Sequence, residues 1–231
     1  MKKFEIKDRY DFEDYRALIH HLRAPGGCPW DREQTHESIR RNVLEEAYET
    51  AQAIDSGDKE NLKEELGDLM MQVLFHADIE EDAESFTVDD VIDGACKKLV
   101  FRHPHVFGDV TAENSEAVLQ TWDVQKMAEK GQKNVTDTML SVPETLPSLW
   151  RAEKILKKAE NGGITQPDAE QANAALCAAA EKFCADAGEN TLGELLLAAV
   201  AAARKAGLDP EQALHAACVR YIKLHDENRE I

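Results

Sequence analysis

Five carboxylates have the spacing that chemistry would need: Glu45, Glu46 and Glu49 in one short run, then Glu65 and Asp68. At about 100° per helical residue, the first three fan over an arc of about 100° and project together. Val43, Leu44, Ala47, Ala51 and Ile54 form an apolar stripe on the other side, so this trio alone also fits a solvated acidic face. The later pair sits differently. Glu65, Asp68, Gln72 and His76 make one stripe about 80° wide, and apolar residues fill most of the remaining circumference between Leu66 and Ala77. A helix of that kind is expected to be buried nearly all round, with the stripe facing inward. Ionised carboxylates cost several kcal/mol each in such a place unless they are paired or bind a cation. Lys63 could supply a salt bridge, but no base stands in the stripe itself. All-oxygen ligands favour Mg²⁺ or Mn²⁺ over zinc or copper, and Mg²⁺ usually shares its shell among carboxylates, waters and substrate phosphates. The chemistry implied is metal-assisted work on a phosphate compound.

The few basic residues matter for the same reason. Lys98 and Arg102 are an i, i+4 pair just before the helix-breaking His103-Pro104-His105. They could contact phosphate oxygens, or simply complement a helix C-terminus. His103 and His105 suit the turn better than a metal. Acidic residues outnumber basic ones 45 to 27, giving a formal charge of -18. Direct nucleic-acid binding would need the opposite sign. A polyanionic substrate would need a cation as mediator.

The elements that must position these groups are helical. Apolar residues recur at helical spacing over 15–22, 39–54, 62–79, 88–101, 118–127, 149–156 and from 172 onward, and no segment alternates with period two. Breaks fall at Ala24-Pro25-Gly26-Gly27, Ser56-Gly57-Asp58, His103-Pro104-His105 and Asn161-Gly162-Gly163-Ile164. The fold class expected is all-α. Within 231 residues, Leu66-Gly67-Asp68-Leu69 is echoed by Leu192-Gly193-Glu194-Leu195. A second echo matches Ile92, Ala95, Cys96 and Lys98 to Leu214, Ala217, Cys218 and Arg220, which suggests an old duplication. The expected organisation is a catalytic domain over 1–125, a connector over 126–147 and a degenerate second helical domain over 148–231. Five cysteines without CxxC or zinc spacing fit reduced thiols. No apolar run reaches the roughly 18 residues of a membrane span. A cytoplasmic protein without membrane attachment is expected.

Four blocks in order then carry a family resemblance: Gly27-Cys28-Pro29-Trp30-Asp31, Glu45-Glu46-Ala47-Tyr48-Glu49, Glu65-Leu66-Gly67-Asp68 and Phe101-Arg102-His103-Pro104-His105. Over about residues 10–160 the chain resembles the MazG nucleoside triphosphate pyrophosphohydrolases. The resemblance implies Mg²⁺-dependent cleavage of NTPs or dNTPs to the monophosphate and pyrophosphate, in a homodimer of paired helices. By motif position it implies Glu46, Glu49, Glu65 and Asp68 as metal ligands. Glu45 would be a further ligand or, like Glu49, a group that handles the water, while Asn42, Lys98 and Arg102 would face the nucleotide. The second half departs from a two-site pattern. The echo puts Thr191 at the Glu65 position and Glu194 at the Asp68 position, and no EExxE precedes them. One active half is expected, with the other as scaffold, dimerisation or regulatory surface.

Rival readings are narrower. Gly27, Glu33, Arg41, Val43, Glu45 and Glu46 fit most of a Nudix box, but Asn42 and Tyr48 occupy required Glu and Gly positions. No P-loop, GxSxG or HExxH occurs. A catalytically inactive helical scaffold or regulatory nucleotide-binding protein remains, as does a pyrophosphohydrolase of a specialised nucleotide such as phosphoribosyl-ATP. Trp30, Trp122 and Trp150 read better as core than as base-stacking platforms.

Overall fold

The computed structural model describes residues 4–108 and 134–226. Among these residues there are eleven helices and no strand, so the all-α expectation holds. The chain divides into two compact units, Met1–Ala112 and Glu113–Ile231.

In the first unit, α1 (Phe12–Arg23), α2 (Pro29–Glu33), α3 (His36–Ser56), α4 (Lys59–Asp82), α5 (Val88–Arg102) and α6 (Pro104–Phe107) follow one another. Side chains mark the starts. Asp11, Thr35 and Thr87 each close a capping box with the residue three positions on, and Asp58 accepts from the amides of Glu60 and Asn61. Gly57 ends α3 in the left-handed conformation at φ 71°, so α3 and α4 fold back on each other as an antiparallel pair. Pro29 and Pro104 open short helices that the apolar periodicity did not mark, because proline loses no helical bond in the first turn.

The core beneath this pair gathers Ile19 from α1, Ile39 from α3, Leu74, Phe75 and Ala77 from α4, and Val88 from α5. Each such large aliphatic or aromatic side chain contributes about 1.5–3 kcal/mol on burial. A charged seam locks α1 to α4. Arg23 bonds Asp78 at 2.5 Å and Asp82 at 2.9 Å, and its guanidinium lies 5.4 Å from the centre of the Phe75 ring. One expectation is not met in the single chain. Leu66, Met70 and Val73 of α4 are 48%, 45% and 48% exposed, because α1 and α3 cover only part of the circumference.

The second unit contains α7 (Val135–Leu140), α8 (Ser148–Asn161), α9 (Ala169–Ala185), α10 (Glu189–Lys205) and α11 (Pro210–Leu224). Helix α9 packs along α10, while α8 and α11 meet α10 and each other. Ala172, Val200 and Ala202 are buried there. The helix expected over 118–127 lies outside the described residues, as does part of the connector expected over 126–147. No helix among the described residues is long and apolar enough to cross a membrane.

Candidate active site

The α3–α4 pair brings the two acidic motifs face to face. Glu46 and Glu49 from α3 and Glu65 from α4 each offer a carboxylate oxygen, and these oxygens all lie within 4.8 Å of one another. Buried Thr50 fixes the register at this point. Its hydroxyl donates to the Glu46 carbonyl at 2.7 Å, with the Glu65 carbonyl 3.5 Å away. Tyr15 reaches across from α1 and donates its hydroxyl to the Gly67 carbonyl at 3.1 Å, between the two acidic positions of α4.

The electrostatics are those of crowded like charges. Burial, then the charges of Asp68, Glu49, Glu65 and Glu45, hold the Glu46 carboxyl above its usual range. Burial and the charges of Glu49, Asp68 and Glu64 do the same to Glu65. The Tyr15 phenol is raised by burial and by Asp68 and Glu46. Among the described residues no basic side chain pairs with Glu46, Glu49, Glu65 or Asp68; Lys63 bonds Glu60 instead. Such a set fits a divalent cation, which would relieve the repulsion and supply the opposite charge the cluster lacks.

The other residues singled out in the sequence fall in different surroundings. Glu45 is exposed and bonded to Arg41 at 3.1 Å, on a face of α3 that also carries Leu44 and Tyr48. Asn42 is partly buried one turn before Glu46. On α5, Lys98 is exposed whereas Arg102 is buried. His103 caps α5 and contacts the Leu99 carbonyl at 2.6 Å, in keeping with a turn role. In the second unit the echo positions hold no comparable cluster. Glu194 is neutralised by Lys182 at 2.5 Å, and Thr191 is buried, donating to the Asp186 carbonyl at 2.6 Å.

Sequence reasoning missed Tyr15 and Thr50 altogether. Both act through long-range contacts, and neither belongs to a motif; the apolar periodicity around Tyr15 signalled only a core position. It also passed over His36, which bonds both His76 and Glu80 across the pair.

Residues 34–107 match the MazG nucleotide pyrophosphohydrolase domain. With the helical fold and the carboxylate cluster, that match defines the class, an all-α nucleotide pyrophosphohydrolase. The chain is 35% identical over 224 residues to the nucleoside triphosphate pyrophosphohydrolase/pyrophosphatase MazG of Thermotoga maritima, covering 95% of this chain and 86% of that protein. It is 38% identical over 225 residues to the nucleoside triphosphate pyrophosphohydrolase of Escherichia coli strain K12, covering 93% and 86%. The chain belongs to the MazG family. It is also 48% identical over 150 residues to the YabN protein of Bacillus subtilis, but spans only 30% of that protein's length.

Proposed function

We propose that the first unit hydrolyses nucleoside triphosphates, ribo or deoxy, to the monophosphate and pyrophosphate with the help of Mg²⁺, or Mn²⁺ in its place. The observation that carries this reading is the convergence of Glu46, Glu49 and Glu65 without a basic partner. Those three and Asp68 would hold the cation. When bound, it would neutralise the triphosphate and lower the pKa of a water at the site. Glu49 and Glu45 are the carboxylates assigned to take the proton of the attacking water as pyrophosphate leaves. Asn42, Lys98 and Arg102 are assigned to the nucleotide. No covalent intermediate is needed.

The same reading includes a homodimer, supported by the half-exposed Leu66 and Met70 on the helix that carries Glu65 and Asp68. It includes a cytoplasmic setting, supported by five free thiols. The second unit is read as a degenerate copy that serves as scaffold or regulatory surface.

The test is a pyrophosphate-release assay across the eight common nucleotides with Mg²⁺. Wild type should act on at least one, and Glu49→Gln should lower the rate by about 100-fold or more. Pyrophosphate from none of the eight would end the reading. Activity confined to phosphoribosyl-ATP would favour the specialised-nucleotide alternative, and Mg²⁺-independent nucleotide binding without turnover would favour the regulatory one.

A further inference from the structure

Beyond the acidic cluster along the α3–α4 pair, Glu80, His36 and His76 form a continuous hydrogen-bonded chain. His36 Nε2 lies 2.7 Å from Glu80 Oε1, and His36 Nδ1 lies 2.6 Å from His76 Nδ1. The two imidazoles are parallel to within 3°, with centroids 4.9 Å apart. With a nitrogen contact that short, this separation means the rings meet edge to edge in one plane, nitrogen to nitrogen, and do not overlap. One proton must therefore sit between the two Nδ1 atoms.

The rest of the chain decides which ring carries that proton. An ionised carboxylate only accepts, and hydrogen bonds from His36 and Ser85 hold the Glu80 carboxyl below its usual range. His36 Nε2 is then a donor. In a neutral His36 the other nitrogen accepts, so His76 donates from Nδ1 and its Nε2 is left as a bare acceptor. A single proton added to the pair enters at His76 Nε2, while the His76 Nδ1 proton passes to His36 Nδ1. The positive charge then rests on His36 beside Glu80, and His76 is neutral again with Nε2 now a donor. A second proton would set two cations nitrogen to nitrogen; burial and His36 already hold His76 below the usual histidine range.

The surroundings leave this exchange to the three residues. On α3, exposed Glu37 bonds its own amide and the Thr35 hydroxyl, with His36 a lesser influence, and Arg40 is exposed. On α4, Asp78 is engaged by Arg23 and His20 of α1, and Asp82 by Arg23. The 83–87 turn supplies the Ser85 hydroxyl to Glu80, and at the start of α5 Asp90 is held by Thr87.

His36 and His76 line a groove of about 290 Å³ whose other walls include Leu69, Val73, Phe86 and Gln72. On α4, Gln72 and His76 continue the stripe of Asp68 one and two turns further on, about 6 and 12 Å along the axis. Apolar walls with few polar groups suit a flat heterocycle. We propose that the Glu80–His36–His76 chain is a one-proton switch, presenting His76 Nε2 to a planar heterocyclic base in this groove as an acceptor when neutral and as a donor when protonated. The identity of that ligand rests on the phosphohydrolase reading, in which the acidic cluster takes the phosphates and the base extends along the groove.

Two-bond ¹H–¹⁵N NMR of the labelled full-length chain reads the switch without any turnover. His76, assigned with His76→Gln, should be protonated on Nδ1 at pH 8 and on Nε2 after a one-proton transition at lower pH. Glu80→Gln should move the midpoint down by about 1 unit or more. A His76 that keeps one tautomer throughout, or shows the reverse order, would overturn the switch. For the ligand, CTP and UTP are compared because they exchange an amino group for a carbonyl. Their kcat/KM ratio should change by about 10-fold or more between pH 8 and pH 5.5 in wild type, and by less than about 2-fold in His76→Phe. A pH-independent ratio with an intact tautomer switch would overturn the base assignment. Absence of turnover with every nucleotide would end the function reading while leaving the NMR result to decide the switch.

Discussion

Glu46 and Glu65 pay for their position in burial and in like-charge repulsion, and the sign of that effect can be measured. Both carboxyls are raised above their ordinary values, so the folded chain holds these protons more tightly than the unfolded chain. The cluster's contribution to stability therefore falls as pH rises from the ordinary glutamate value through the raised folded values. In EDTA, Glu46→Gln is expected to melt above wild type by about 2 °C or more at pH 7.5, with the gap closing near about pH 4. Adding Mg²⁺ should raise the wild-type Tm and leave the variant unmoved, since a ligand stabilises only the state that binds it. Differential scanning fluorimetry at the two pH values checks both. Glu45, bonded to Arg41 on the exposed face, should give a much smaller shift than Glu46.

At the scale of elements, the site depends on the tight reversal between α3 and α4. Gly57 sits at φ 71°, and nothing lies within 4 Å of where a Cβ would be, so Gly57→Ala is penalised only through its backbone. The expected loss is about 1 kcal/mol, or about 2–4 °C in Tm, with the cation response retained because no ligand moves. Calorimetry with and without Mg²⁺ would separate these outcomes. The reversal was visible in Ser56-Gly57-Asp58, where a helix-ending glycine precedes a capping aspartate. The apolar surface of α4 was visible too, but what covers it was not. Leu66 and Met70 obey helical periodicity as well as Leu74 and Phe75 do, yet only the latter two are buried within the chain. If that open side is the homodimer surface, Met70→Glu should convert the dimer to monomer in size-exclusion chromatography with light scattering.

At the scale of the whole molecule, the two acidic positions of the sequence echo lie in opposite surroundings. Asp68 stands among unpaired carboxylates, whereas Glu194 is neutralised by Lys182. Glu194→Gln is therefore expected to leave pyrophosphate release within about 2-fold of wild type and the Mg²⁺-induced Tm rise unchanged. A large loss would place chemistry in the second unit. The helical class and most helix spans were legible in the sequence because they depend on short-range spacing, and the family because four motif blocks stand in order. Helical periodicity put Glu46 and Glu49 on one face and Glu65 and Asp68 on another. It could not say that Thr50 would meet α4, that Tyr15 would tie α1 to the turn between Glu65 and Asp68, or that His36 would meet His76 and Glu80. Those relations join residues 15 to 52 positions apart. Only the packing of one helix against another decides them.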